Sequence, residues 1–343
     1  ADRSIGEAHE RGYVSLTTAE ILAQSSNVGT ILIGQRLGAK RFDAWVRRFG
    51  FGSRTGIALP GEEQGLVLPL DNAAAAAAFA PDGNSLTTVS QLTTIGRWDA
   101  KSGKTRSEPV KAQDDTALQT AAISGDGKTV AMVLDNATLL VRHIETGESR
   151  KFAGSALRRA AFSRDGKRLV TVSGDGMAHI FDLGGSDKPI KSIRCEREAG
   201  VESVDFNQDG TRIVTGSLGG SARIFDTGSG EQIGEALRHA RGISSVAFNS
   251  TGTRVLTASL DGSANIWDAE TGAQVGAPIG NGFEGKEELT SVRFSPDASL
   301  IATASVDGNI RLWDAENEKL PQVFSGHAAA INSLAFSPDG TRI

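Results

Sequence analysis

From residue 73 onward, apolar and small polar positions alternate in runs of about six residues, each closed by a short turn rich in aspartate and glycine. Ile243 to Phe248 shows the pattern, Ser250 to Gly252 turns it, and Arg254 to Ser259 is a second β-prone run. Asp261-Gly262 then leads into Ala264 to Trp267. The unit therefore reads strand, turn, strand, turn, strand. It recurs at fixed spacing: Phe79 precedes Trp98, Phe162 precedes Phe181, Phe206 precedes Phe225, Phe248 precedes Trp267 and Phe294 precedes Trp313, always by 19 positions. Ile123 and Arg142 fill the same slots in a degenerate copy, and the anchor advances by 39 to 46 residues between copies. A strand-only unit of that period is a propeller blade rather than a helical repeat. One such sheet alone would expose both faces and its edges, which radial repetition buries.

The fold class that follows is mainly β: a β-propeller of six full repeats plus a truncated seventh, Ala328 to Ile343, behind a small helical segment. A seventh copy that stops before its third strand leaves an unpaired edge, so closure needs residues beyond Ile343 or leaves an open gap. The first residue is Ala rather than Met, and the last copy ends in mid-pattern. Both termini are therefore expected to be cut from something longer. The first turn carries Asp-Gly in five of the copies, at Asp82, Asp126, Asp165, Asp209 and Asp339. Glycine there tolerates positive φ, and aspartate bonds its own backbone. These turns lack the alternating oxygen ligands of a calcium loop, so turn chemistry is the better account.

The repeat half resembles the WD-repeat family. Trp-Asp stands at Trp98-Asp99, Trp267-Asp268 and Trp313-Asp314, and Phe-Asp at Phe181-Asp182 and Phe225-Asp226. The resemblance implies a buried network of His, Ser or Thr, Asp and Trp within a blade. The full set occurs once, as His239, Ser259, Asp261 and Trp267. The same residue types would suit an acyl-transfer triad, but a network satisfying buried polar groups also explains their strand positions. The family further implies protein partners bound at the propeller faces.

The front of the chain follows a different pattern. Thr17 to Leu37 reads as helical, interrupted at Ser25-Ser26-Asn27 and carrying an apolar stripe through Val28, Ile31, Leu32 and Ile33. A short second helix is expected from Ala39 to Phe49, followed by an irregular loop through Gly50, Gly52, Gly56, Pro60 and Gly61. Those glycines miss the spacing and the preceding strand of a dinucleotide loop. Residues 1–70 resemble the transpeptidase domain of class B penicillin-binding proteins, through Ser25-Ser26-Asn27-Val28-Gly29, Arg48-Phe49-Gly50-Phe51-Gly52 and Thr55-Gly56-Ile57-Ala58-Leu59-Pro60-Gly61-Glu62. The resemblance implies that Ser25 and Asn27 form a Ser-x-Asn element beside a serine nucleophile. In that family the nucleophile comes from an upstream Ser-x-x-Lys, which this chain lacks. Lys101-Ser102-Gly103 imitates the family's third motif, but it fills the slot that Glu145-Thr146-Gly147 and Glu270-Thr271-Gly272 hold in other copies. The repeat explains it as a turn.

Two domains are thus expected, at 1–70 and 73–343, with almost no linker between them. A propeller inserted into a transpeptidase, a fusion relic and a chimera of two genes all fit, and the last two are favoured. An insertion would have to bring both propeller ends back to one loop. The leading reading is a protein-interaction scaffold carrying an inactive transpeptidase relic. The alternative is a D,D-transpeptidase cross-linking peptidoglycan, with β-lactam or peptidoglycan peptide as the front domain's ligand and a bacterial envelope location facing the periplasm or cell exterior. The net charge of −5 argues against nucleic acid. One cysteine, Cys195, excludes an internal disulfide, and five scattered histidines give no metal site. No cofactor is called for, and no apolar run approaches the ~20 residues that span a bilayer.

Overall fold

The computed structural model describes residues 5–9, 12–16, 74–112, 117–134, 138–153, 156–197, 199–280, 288–315, 322–325 and 330–343. The chain divides into two compact units, Ala1–Asp71 and Asn72–Ile343. In the first, Ile5–His9 and Gly12–Leu16 pair as antiparallel strands, with Ile5 opposite Leu16 and His9 opposite Gly12. The helices expected over Thr17 to Leu37 and Ala39 to Phe49 lie outside the described residues. No helix occurs among the described residues.

The second unit is a six-bladed β-propeller. Six four-stranded antiparallel sheets span 74–111, 118–153, 157–194, 201–238, 243–279 and 289–325, and in each the strands pair in chain order. They are called blades 1 to 6 below. The three expected strands of each copy are joined by a fourth, outermost strand that the hydrophobic pattern does not show. Gln232–Arg238 and Gln274–Ile279 are mostly exposed, so nothing in them has to alternate. The second strands are the reverse case. Arg168–Ser173, Arg212–Ser217 and Arg254–Ser259 are buried at every position after the first, because each sheet is covered on both faces by its neighbours.

The core accordingly lies between blades. Val204 and Phe206 of blade 4 pack on Val170, Val172 and Ile180 of blade 3, and Val246 and Phe248 of blade 5 pack on Val214 and Ile224 of blade 4. Gly216 marks how close the approach is: a Cβ there would lie 2.6 Å from the Ile243 side chain. The inner strands, among them Leu157–Phe162, Val201–Phe206, Ile243–Phe248 and Leu289–Phe294, share an irregularity after their first residue. Such a bulge re-aims one side chain. In blade 5 that side chain is Ser244, whose hydroxyl donates to the carbonyl of Leu289 in blade 6 at 2.6 Å.

The closing segment, 330–343, repeats this contact. Thr290 of blade 6 donates to the carbonyl of Ile331 at 2.6 Å, and Ile331, Leu334 and Phe336 pack on Ala302, Ala304, Ile310 and Leu312. At its other end, Arg342 donates to the carbonyls of Ala100 at 3.1 Å and Gly83 at 2.8 Å, with its guanidinium 5.4 Å from the Phe79 ring centroid. Arg168 of blade 3 meets blade 4 in the same way, 5.9 Å from the Phe206 ring and 3.5 Å from the Thr227 hydroxyl. Phe79 and Phe206 hold the same slot. Where the sequence pattern anticipated closure from further residues or an open gap, this segment bridges blade 6 to blade 1.

Arg342→Ala removes both charge-assisted bonds and the ring contact. Amide exchange at Ser337 and Gly340, which donate to the Arg342 and Ser337 carbonyls, is expected to accelerate roughly tenfold, equivalent to about 1.4 kcal/mol, while blades 3 and 4 keep their protection. Hydrogen-exchange mass spectrometry reads both regions in one experiment, and a uniform change would contradict a local seam.

Candidate functional site

In blade 5, Trp267 is the penultimate residue of the third strand, Ala264–Asp268, and lies beside Thr257 in the second. Its Nε1 donates to the Thr257 hydroxyl at 2.8 Å, and His239 Nε2 lies 2.6 Å from that same oxygen. Nδ1 of His239 lies 3.3 Å from the Ser263 hydroxyl and 3.6 Å from Asp261 Oδ2, and Ser263 donates to Asp261 at 2.5 Å. Burial pushes the His239 pKa down, partly offset by Asp261, so the ring is held neutral. A consistent assignment of protons runs from Trp267 to Thr257, from Thr257 to His239 Nε2, and from His239 Nδ1 towards Asp261.

The structure brings His239, Asp261 and Trp267 together, but Ser259 bonds elsewhere. Its hydroxyl donates to the carbonyls of Arg241 and Gly242 and accepts the Asp261 amide, so it fixes the turn rather than the ring. The hydroxyl that joins histidine to tryptophan belongs to Thr257, which the sequence reading passed over. A signal for it existed. Trp98 donates to Thr88 and Trp313 to Thr303, at 2.8 and 3.0 Å, and in all three blades the threonine stands ten positions before the tryptophan. Thr257 is fully buried, and its hydroxyl already serves both the ring and the indole. An attacking hydroxyl needs a free approach to substrate, and this one has none.

Other blades reach the same end with different residues. Phe181 replaces tryptophan in blade 3, and the Thr171 hydroxyl ten positions earlier is buried without a partner. In blade 4 the buried Cys195 stands where blade 5 has His239: the amides of Cys195 and His239 donate to Gly176 and Gly220 respectively. Burial pushes the Cys195 thiol up to about 12. Gly219 fills the aspartate slot there, and Glu196 supplies the missing carboxylate. It pairs with Arg223 and accepts from Ser221 at 2.8 Å. Burial opposes its charge, but Arg223, the Arg197 amide and Ser221 outweigh that and hold it at about 2. In blade 6, Arg311 bonds Asp307 at 2.6 Å and Ser305 at 2.9 Å.

One face of the propeller carries a repeated apolar element. Leu218, Leu260 and Val306 follow the last residue of the second strand in blades 4, 5 and 6. Their amides donate to Gly200, Gly242 and Glu288, beside the start of each inner strand, which places them at one mouth of the ring. Leu218 is 50% and Val306 38% exposed, and Leu260 is half-buried. Arg241 and Glu288 pair next to them at 3.1 Å.

Lys101-Ser102-Gly103 forms the turn after the third strand of blade 1. Asp99 accepts from the Lys101 and Ser102 amides and the Ser102 hydroxyl, as Asp268 does from Glu270 and Thr271. Ser25 and Asn27 lie outside the described residues. Among the described residues no group of three or more His, Cys, Asp or Glu side chains is placed to hold a metal, and no helix is long and apolar enough to cross a membrane.

Comparison with known families agrees with this geometry. The WD domain, G-beta repeat, matches residues 230–268, 277–314 and 318–343, and the lipoprotein LpqB beta-propeller domain matches 91–225. The repeat half is a WD-repeat propeller. The penicillin-binding protein transpeptidase domain matches residues 2–98, of which 74–98 fold here as the first three strands of blade 1 of the propeller. Penicillin-binding protein PbpB of Mycobacterium tuberculosis is 46% identical over 68 residues, which are 20% of this chain and 10% of that protein. Stage V sporulation protein D of Bacillus subtilis is 34% identical over 88 residues, 24% and 14% of the two chains. U3 small nucleolar RNA-associated protein 18 homolog of Arabidopsis thaliana is 30% identical over 111 residues, 31% and 20%. The chain thus spans no more than a fifth of the length of these relatives.

Two threonines at the same slot should respond oppositely to one substitution. Thr257→Val strands the His239 ring and the Trp267 N–H and is expected to cost about 2–4 kcal/mol. Thr171→Val removes an unpaired hydroxyl at constant shape and is expected to be neutral or to gain up to about 1 kcal/mol. Urea denaturation measures both. Glu196, depressed below its ordinary 4.5, adds stability above that pH and loses it as pH falls towards 2. Comparing acid unfolding of Glu196→Gln with the parent should show a smaller drop in stability between pH 4.5 and 2.

Proposed function

We propose that this protein is a protein–protein interaction scaffold that docks its partner on the mouth formed by Leu218, Leu260 and Val306. The carrying observation is that apolar side chains recur at one slot on three successive blades, exposed at Leu218 and Val306 and half-buried at Leu260. The second strands around them are otherwise buried at every position after the first. Isolated exposed apolar residues need no explanation, but an arc of them beside an inter-blade ion pair suits a protein surface. The acidic balance of the chain favours protein over nucleic acid as partner. The closing segment holds the inner-strand position of a seventh repeat in this reading, supported by its two repeat-equivalent contacts with blades 6 and 1. The buried network of His239, Thr257, Asp261 and Trp267, with Ser259 fixing the adjacent turn, stabilises blade 5 and has no catalytic role.

The front segment, 1–70, is read as a penicillin-binding transpeptidase piece in which Ser25 and Asn27 are the Ser-x-Asn element, without acyl transfer by this chain. The 46% identity to PbpB over 68 residues favours that origin, and the absence of a Ser-x-x-Lys in the sequence argues against activity. An envelope location and peptidoglycan peptide as substrate belong to the alternative, an active transpeptidase.

Two experiments test these readings. Leu218→Asp combined with Val306→Asp should leave the melting temperature within a few degrees and abolish crosslinks that the parent forms with its partners. Unchanged crosslinks would move the docking site elsewhere. Incubation with a fluorescent β-lactam should leave no covalent adduct on this chain, and a stoichiometric adduct would overturn the inactive reading.

A further inference from the structure

Blade 3 departs from its neighbours between its third and fourth strands, Met177–Asp182 and Lys191–Arg194. Blades 2, 4 and 5 cross that gap in five residues, 144–148, 227–231 and 269–273, while blade 3 takes eight, 183–190. Blade 1 takes ten, none of them a large apolar residue. In blade 3 every residue from Gly184 to Ile190 is exposed. Ile190 is 58% exposed, more than any other large apolar side chain among the described residues. It stands in the run Lys188-Pro189-Ile190-Lys191, between two lysines.

Neighbouring elements hold this loop in place. Arg150 of blade 2 donates to Asp187 at 2.6 and 3.0 Å and to the carbonyls of Leu183 at 2.5 Å and Gly185 at 2.9 Å. The Leu183 amide donates to the Lys167 carbonyl at 2.8 Å, and Lys191 Nζ donates to the Ser229 carbonyl in blade 4 at 3.1 Å. An exposed loop tied at so many points presents its side chains in one arrangement, which lowers the ordering cost of binding. The carboxylates around it are engaged. Asp165 accepts from the Ser163 hydroxyl and the Lys167 amide, Asp182 from the Gly184 amide and Asp226 from the amides of Gly228 and Ser229, while Asp187 pairs with Arg150. Arg164, Lys167 and Lys188 are exposed, and among the described residues none has a carboxylate within 4.0 Å. With Arg150, Arg168 and Lys191, these make six cations to four carboxylates.

We propose that the loop 183–190 is a second docking surface, which takes a short acidic segment of a partner protein. The segment's carboxylates meet Arg164, Lys167 and Lys188, and an apolar residue within it covers Ile190. Charge on the wider scale selects this occupant. Residues 118–194, blades 2 and 3, hold twelve lysines and arginines to eight aspartates and glutamates, whereas the whole chain holds 36 to 41. The basic rim is therefore bounded by acidic blades. An extended anionic surface such as a lipid bilayer would meet those blades as well and be repelled, while a short segment touches the rim alone. The loop lies beside the first turn, at the end of the inner strand, and the apolar mouth lies at that strand's start. The two surfaces are thus on opposite faces, and either can fail without the other.

The test is calorimetric titration of the capped peptide Glu-Glu-Val-Glu-Glu into the intact chain at low and at high salt. It should bind at least about tenfold more tightly than the same peptide with glutamine in place of glutamate, and added salt should weaken it. Arg164→Gln combined with Lys188→Gln should weaken it roughly tenfold, and Ile190→Ser roughly threefold. These positions are exposed, so the melting temperature should not move. Lys104→Gln, which removes an exposed cation from blade 1, should leave the affinity unchanged. Failure of the acidic peptide to bind, equal binding of the glutamine peptide, or indifference to the double substitution would each overturn the proposal. Cosedimentation with phosphatidylserine vesicles that the acidic peptide fails to displace would overturn it in favour of a lipid surface. The crosslinks read the mouth and this titration reads the rim, so failure of one reading is distinguishable from failure of the other.

Discussion

A four-stranded sheet of this composition is apolar on both faces, and each face is buried only by the next blade. That mutual covering is the constraint on which the rest of the propeller depends. The second strands are buried throughout because they lie between two neighbours, and the core is a set of inter-blade clusters rather than one central mass. Sheets that need a neighbour on each side cannot stop, so the first and last must meet. Here they meet through the closing segment, which lays Leu334 and Phe336 on blade 6 and passes Arg342 to blade 1. The contact that holds the ring shut is therefore of the same kind as the contact between blades 3 and 4.

Within a blade the requirement is weaker: the polar atoms brought inside must find partners, and several residue sets achieve it. His239 and Asp261 serve Thr257 and Ser263 in blade 5, Glu196 reaches Arg223 and Ser221 in blade 4, and Arg311 joins Asp307 to Ser305 in blade 6. Blade 3 leaves one hydroxyl unsatisfied. The repeat conserves geometry more strictly than chemistry, because a strand register admits few alternatives while a hydrogen bond can be made from either side.

What the sequence reveals follows that division. The 19-residue interval between the apolar anchor and the Trp slot is fixed by two strands and a turn, so the blades and their turns are legible from it. Thr257 is legible too, through its ten-residue offset from tryptophan, although Ser259 is the residue whose position matches the expected set. The outer strands were not legible, since exposed residues carry no alternation. The closure was hidden for a different reason: Arg342 meets Gly83 across 259 positions, and its meaning appears only when Arg168 is seen doing the same to blade 4.

The buried thiol of Cys195, standing in for a histidine, has a practical consequence. With its pKa pushed up to about 12 it stays protonated and enclosed at ordinary pH, inert to oxidants and maleimides. The propeller's cohesion is then indifferent to the redox state of its surroundings. Any cysteine introduced at an exposed loop becomes the one reactive thiol of the chain, so a single fluorophore or spin label can be placed on a chosen blade without first removing a native residue.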